Sequence, residues 1–379
     1  MVDSTLCWGL MRAMDGMPAK GRPRRSRLRL ALVAFLLLIV ALEVALQVCG
    51  VLEPRPIQAA QANGNDWAVV LEESDEPRLS YVNAPGIDVT IGGVSYRHDE
   101  RGRRVPSSPL SVPDPGAPTV VFLGDSTTYG LGLNAREGLV EQTAAQLGGL
   151  IRPANLGVCG YNTAQEVALY GAERAHLPGA EVVVLVVFPN DFAPVPSHWD
   201  GARGILYFDP FPLARPVRHL LWESALYRAV VTVVIRLKEA LGDGGYGFTP
   251  RLTAMANNIS RLHDLTRQDG RQLLVAHLPA MAPLDPYVFQ AAERDLQAIC
   301  AAEGVAYVDL LEGFLMERKK HLRRYERSRG EALNAAGSAS LLSMYWLKYP
   351  TDQHLNAAAN RVAAGPLAQA IGGMLRRVP

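Results

Sequence analysis

Five apolar runs constrain this chain more than any other feature: Thr119–Leu123, Ala154–Val158, Glu181–Phe188, Gln272–Leu278 and Val305–Leu310. They are short, rich in Val and Leu, and largely lack the polar alternation of a half-exposed strand. Near-continuous apolar strands are buried on both faces, which is the signature of a parallel sheet. Helical spacing fills the intervals between them. Leu252, Met255, Ile259 and Leu262 recur at 3, 4 and 3 residues, and Gly270 closes that pattern. Further helices are predicted from about Pro286 to Glu303 and from about Asn356 to Leu375. Strands alternating with helices predict an α/β fold with helices on both faces of a central parallel sheet. Ligands bind such folds beyond the carboxyl ends of the strands.

A longer apolar run, Leu30 to Leu52, has only Glu43 and Gln47 as strongly polar interruptions. It is long enough to span a bilayer as a helix. Lys20, Arg22, Arg24, Arg25, Arg27 and Arg29 precede it. Positive charge on that side keeps the N-terminus in the cytosol and sends the rest of the chain across. A cleaved signal peptide would have a shorter apolar region and a small-x-small site after it. The expectation is therefore an uncleaved anchor, with the remainder periplasmic or extracellular. Glu43 is expected to snorkel or to find a partner.

The expected organisation is a basic cytosolic tail (1–27), an anchor (28–52), a linker with a small strand-containing segment (53–117) and one large domain (118–379). Gly92-Gly93, flanked by strand-like pieces, predicts a hairpin within the third of these. Residues 192–248 form a long interruption carrying Trp199, Tyr207, Phe208, Phe211 and Trp222, read as a partly helical lid, a substrate wall or a packing insertion. The basic run from Arg318 to Arg324 reads as a solvated face. At a formal net charge of +1 nothing calls for nucleic acid as a partner. Of four cysteines only Cys159 and Cys300 share the exported part, and no metal-ligand spacing or cofactor fingerprint is present in the sequence.

Four short stretches carry the chemistry: Gly124-Asp125-Ser126, Asn155-Leu156-Gly157-Val158-Cys159-Gly160, Phe188-Pro189-Asn190-Asp191 and Asp352-Gln353-His354. Each follows a predicted strand or precedes a predicted helix, so all four can meet at one sheet edge. A serine hydroxyl needs a base to become a nucleophile. His354 has the right chemistry for that base, and Asp352 for orienting its imidazole. The N–H groups of Ser126 and Gly160 and the side-chain amide of Asn190 are candidate donors to an oxyanion. Asp125 and Asp191 adjoin the site and can simply brace its turns. An ordinary capped strand-to-helix turn at Ser126 is the competing reading of the first stretch. The elbow of an α/β-hydrolase is disfavoured, because Gly124-Asp125-Ser126-Thr127-Thr128 lacks the second glycine of G-x-S-x-G.

Together, in this order, the four stretches resemble those of the SGNH (GDSL-type) hydrolases over roughly residues 118–379. The resemblance implies a three-layer, flavodoxin-like α/β/α fold. It implies Ser126 as nucleophile, Asp352 and His354 as its partners, and Ser126, Gly160 and Asn190 as the oxyanion hole. Thr127 stands where the family name has leucine, Phe188 where a glycine is frequent, and the acid lies two residues before the histidine instead of three. That last spacing resembles membrane-anchored and polysaccharide-modifying branches. The activity implied is an esterase cleaving O-acyl esters, O-acetyl above all, on an exported glycan or a small acyl ester. An O-acyltransferase using the same triad and a non-catalytic glycan-binding component are the alternatives.

Overall fold

The computed structural model describes residues 23–50, 69–76, 78–192, 196–201, 204–241, 252–280, 287, 289–329, 346–348 and 352–376. The expected linker after the anchor and most of the N-terminal tail lie outside these residues. The chain divides into two compact units, one of Met1–Glu53 with Leu220–Val230, the other of Pro54–His219 with Val231–Pro379.

The first unit is built on helix α1 (Pro23–Val48). It begins within the basic stretch, four residues earlier than the tail was expected to end. Its segment Leu28–Val48 is 21 residues long with a mean hydropathy of 2.6, and none of it is buried by the protein. At 1.5 Å per residue this length is about 31 Å, the thickness of a hydrocarbon core.

The second unit opens with two antiparallel hairpins, β1 (Leu71–Glu73) with β2 (Tyr81–Asn83) and β3 (Asp88–Ile91) with β4 (Val94–Arg97). The second of these turns at the Gly92-Gly93 pair. Then come β5 (Thr119–Leu123), α2 (Ser126–Tyr129), α3 (Leu139–Gln146), β6 (Arg152–Asn155), α4 (Thr163–Glu173) and β7 (Ala180–Val187). The long interruption forms the hairpin β8 (Ser197–Asp200) and β9 (Ile205–Phe208), followed by α5 (Arg215–Trp222) and α6 (Ala225–Leu241), of which Leu220–Val230 belongs to the first unit. The remaining elements are α7 (Leu252–Gln268), β10 (Gln272–His277), α8 (Gln290–Glu303), β11 (Ala306–Asp309), α9 (Leu311–Arg329), β12 (Trp346–Lys348), β13 (Asp352–Leu355) and α10 (Ala357–Leu375).

The five apolar runs make one parallel sheet in the order β11-β10-β7-β5-β6. Counted along the chain this is 2-1-3-4-5, the doubly wound order whose switch point falls between β5 and β7. Side chains alternate between the two faces. Val121, Leu123, Val183, Leu185, Leu273 and Val275 pack with residues of α4, α7 and α8. Val120, Phe122, Val182, Val184, Leu274 and Ala276 pack with residues of α3, α9 and α10. Three layers follow directly from strands that are apolar on both faces. The basic stretch after Glu317 continues α9 as a helix to Arg329. Cys159 and Cys300 are buried and unbridged.

Candidate active site

At the carboxyl end of β5 the backbone turns through Gly124 into α2. A Cβ on Gly124 would lie 2.1 Å from Thr128 Oγ1 and 3.1 Å from the Val186 carbonyl oxygen, so only glycine fits. Asp125 caps the short helix. Its Oδ1 accepts from the Thr127 N–H at 2.8 Å and the Thr127 hydroxyl at 2.7 Å. Its Oδ2 accepts from Asn190 Nδ2 at 2.7 Å. Asn190 sits just past β7 in a turn of 3-10 helix, Pro189–Phe192. One buried carboxylate therefore links the ends of β5 and β7 across the switch point. Ser126 occupies the first position of α2, beside this link.

His354 arrives from the far end of the sequence, on β13. The next residue, Leu355, is buried in the core under the sheet, and Asn356 caps α10 by accepting from the N–H groups of Ala358 and Ala359, both at 3.0 Å. With its neighbours pinned on one side, His354 places Nε2 2.8 Å from Ser126 Oγ. The hydroxyl also lies 3.4 Å from Asp125 Oδ2, a longer and weaker contact. Its single proton is best placed toward Nε2. Asp352 is on the same strand, two residues earlier, and its side chain lies outside the described residues.

Gly160 follows β6 on a loop with φ of +83°. A Cβ there would come within 2.7 Å of Leu206 Cδ2 and 3.0 Å of Tyr81 Oη. The peptide on each side of Gly160 is braced. Tyr81 Oη donates to the Cys159 carbonyl at 2.7 Å, and Ser197 Oγ donates to the Gly160 carbonyl at 2.6 Å. In a trans peptide the N–H points away from the carbonyl of the same unit. Binding the Cys159 carbonyl to Tyr81 thus turns the Gly160 N–H the opposite way. The loop's other end is fixed by Asn155, which donates to the Thr128 carbonyl at 3.0 Å and accepts from the Gly157 N–H at 2.9 Å.

Two more carboxyl groups lie close enough to Asp125 to feel its charge. Burial raises Glu166 well above the usual carboxyl range, and Asp125 adds to that shift. Burial likewise raises Asp191, with Glu166 and Asp125 contributing, although the Phe188 N–H donates to it at 2.6 Å. Neither oxygen of Glu166 has a hydrogen-bond partner among the described residues. The pair therefore holds its protons more tightly than free carboxyls do.

Several functional supports carry no sequence signal of their own. Arg104 is buried beneath α2. It donates to the carbonyls of Tyr129 at 2.9 Å and Gly130 at 2.6 Å, and to that of Leu133. Its guanidinium lies 4.6 Å from the ring centroids of both Tyr96 and Tyr129. A cation at the carboxyl end of α2 meets the negative end of the helix and its unpaired carbonyls. Tyr81, Ser197 and Arg104 all belong to segments outside the repeating strand–helix pattern, which is why spacing did not find them. The other histidines are structural where described in detail. His98 bonds the Ala84 carbonyl at 2.7 Å and Tyr129 Oη at 2.9 Å, and burial lowers its pKa to about 4. His198 lies 2.9 Å from Ser80 Oγ and 3.0 Å from Arg218 Nη1, and burial followed by that arginine lowers it to about 3. His277 lies 3.1 Å from Asp309.

No protein-family model and no curated protein matches the chain. Solved structures similar to it include a carbohydrate acetylesterase family member from Sinorhizobium meliloti (14% identity, 68% of this chain and 99% of that one, TM-score 0.38). They also include a member of the lipolytic protein G-D-S-L family from Veillonella parvula DSM 2008 (13%, 69% and 100%, TM-score 0.37). A third is the lipase/acylhydrolase from Enterococcus faecalis (12%, 68% and 96%, TM-score 0.38).

Two outcomes follow from this arrangement. Arg104→Ala strands several buried carbonyls and should lower unfolding free energy by about 3 kcal/mol or more in a denaturant titration. Arg104→Lys should recover only part of that, since an ammonium cannot fork to these carbonyls or stack between the rings. A loss under 1 kcal/mol for Arg104→Ala would contradict the bracing role. For Glu166 the sign is set by its raised folded-state pKa. The folded chain keeps a proton that the unfolded chain loses above pH about 4.3, so stability falls as pH rises past that value, by up to about 1.4 kcal/mol per pH unit. Glu166→Gln should flatten this slope above pH about 5. An unchanged slope would contradict the assignment.

Proposed function

We propose that this chain is a serine esterase that cleaves O-acyl esters, O-acetyl esters in the first instance, through an acyl-serine intermediate. The observation that carries the reading is the 2.8 Å approach of His354 Nε2 to Ser126 Oγ at the carboxyl edge of the sheet. These residues are 228 positions apart in sequence. A capped turn at Ser126 has no need of that histidine.

In the proposed cycle, His354 Nε2 takes the hydroxyl proton as Ser126 Oγ forms a bond to the ester carbonyl carbon. The carbonyl oxygen becomes an oxyanion. Its donors are the N–H groups of Ser126 and Gly160 and the second proton of Asn190 Nδ2, whose first is committed to Asp125. The imidazolium then protonates the departing alkoxide, leaving an acyl group on Ser126. Water, deprotonated by the same nitrogen, attacks that acyl carbon and returns the serine. Asp352 is assigned to the imidazole's other nitrogen, where it fixes the tautomer and stabilises the cation. The substrate we assign is an exported glycan or a small acyl ester. We assign α1 as an uncleaved anchor with its basic N-terminal side in the cytosol, so that the esterase faces the periplasm or cell exterior. The length and apolarity of Leu28–Val48 support a span, and the basic flank from Lys20 to Arg29 supports its direction.

The detergent-solubilised full chain should hydrolyse p-nitrophenyl acetate. Ser126→Ala should reduce kcat to background, and His354→Ala should reduce it by several orders of magnitude. Undiminished turnover in Ser126→Ala sinks the nucleophile assignment, whatever His354→Ala does.

A further inference from the structure

The carboxyl ends of β10 and β11 carry a group of polar side chains that the proposed acyl chemistry does not use. His277 and Asp309 are the last residues of these strands and stand opposite each other in the parallel register. Register partners point to the same face of a sheet. Here it is the face covered by α8, whose first turn supplies Glu293. One donor atom from each of His277, Glu293 and Asp309 lies within 4.8 Å of the other two. The three residues come from three elements, so no sequence spacing reveals the group.

The chemistry of the group exceeds what packing needs. His277, with a side chain only 2% exposed, lies 3.1 Å from Asp309 Oδ1 through Nδ1. That pair is complete with one carboxylate. Glu293 brings a second to the same point, and two carboxylates there repel each other unless a proton or a cation offsets one of them. Asp309 is oriented from outside the group, because its Oδ1 also accepts from the Leu311 N–H at 2.9 Å. Outer hydrogen bonds of this kind aim a metal ligand. A separate observation points to the same place. The Tyr307 hydroxyl, two residues before Asp309 on the same face of β11, is buried and has no hydrogen-bond partner among the described residues. It lies near enough to feel the charges of Asp309 and Glu293. An ion in the group, with the water that fills its remaining coordination, would bring that hydroxyl a partner.

The distances suit one ion. Ligand atoms about 2.1 Å from zinc are about 3–3.5 Å apart in a tetrahedral site, and at most about 4.2 Å apart in any geometry. The His277–Asp309 separation of 3.1 Å falls in the tetrahedral range. The 4.8 Å limit on the whole set leaves less than about 1 Å for the half-buried Glu293 to close. The Asp309 side chain is 21% exposed, which leaves the ion a path in. An imidazole with two carboxylates favours a first-row divalent ion over magnesium or calcium, which take oxygen ligands.

We propose that His277, Glu293 and Asp309 form a structural divalent-metal site of the zinc type, which ties the ends of β10 and β11 to α8. The site stands apart from the esterase assignment and from the membrane topology, so its test reads metal and not turnover.

The detergent-solubilised full chain is stripped with a chelator, freed of it and dialysed against zinc at about 10 μM, a concentration that fills a site of micromolar affinity. Zinc per chain is then measured by inductively coupled plasma mass spectrometry. Glu293→Gln and Asp309→Asn are measured beside it. Each removes one charge and keeps the side chain's shape, and metal-free unfolding temperatures verify that the variants fold. The expected result is one zinc fewer per chain in each variant than in the parent. Zinc should also raise the parent's unfolding temperature by several degrees, a shift that both variants lack. If Asp309→Asn does not fold, Glu293→Gln, on the half-buried first turn of α8, decides alone. A parent that retains no zinc overturns the site, and so does equal zinc in the parent and a folded variant. Retention of calcium or magnesium in place of zinc at the same concentration overturns it as well.

Discussion

The Asp125 carboxylate is the interaction on which the site depends. It is buried, so both of its oxygens must be satisfied by the protein. One is taken by the first turn of α2, which fixes the direction of the strand-to-helix turn bearing Ser126. The other is taken by Asn190, which fixes the turn after β7. The sheet leaves a crevice between β5 and β7 because the chain winds in opposite directions from these two strands. Asp125 spans that crevice at its mouth. A residue that looked from sequence like a mere turn-former thus ties the turn bearing Ser126 to Asn190, the proposed nucleophile to a proposed oxyanion donor. Placing Glu166 and Asp191 near it has an electrostatic consequence: burial and the Asp125 charge both raise their pKa values, which disfavours a further negative charge there.

Rigidity around the site comes largely from segments outside the parallel sheet. Arg104, just beyond β4, gathers the carbonyls that end α2 and stacks on two tyrosines. Tyr81 on β2 and Ser197 on β8 seize the two carbonyls that flank Gly160. Both devices act through the backbone, which positions N–H groups more firmly than a side chain on a flexible loop can. An edge braced this way leaves little space beside Gly160, where a Cβ would meet Leu206 Cδ2 of the β8–β9 hairpin at 2.7 Å.

The sheet was legible because strands buried on both faces must be apolar throughout, and every one of the five runs became a sheet strand with ends shifted by only a few residues. The meeting of Ser126 and His354 was legible because each sits at a strand or helix boundary of the same sheet edge. The supports were not. Tyr81 sits in a short hairpin and Arg104 beyond another, where the sequence shows at most local strand pattern, and nothing in a basic or aromatic residue announces which carbonyl it will bind. Glu43 was legible as an oddity in an apolar helix, but its partners are two backbone N–H groups and a hydroxyl some 180 residues away, and backbone groups leave no mark in a sequence. The long interruption read as a lid because its aromatics were visible. What they do, burying Trp199 and Tyr207 within the fold, depends on tertiary contacts.

The central claim is that Ser126 Oγ becomes covalently acylated. The most direct measurement is rapid acid quenching of the full chain during turnover of p-nitrophenyl acetate, followed by peptide mass spectrometry. The account predicts a single acetyl group on the peptide containing Ser126, localised to that residue by fragmentation, and no such adduct in His354→Ala on the same time scale. Continued turnover with Ser126 unmodified, or acetylation confined to another residue, would contradict it.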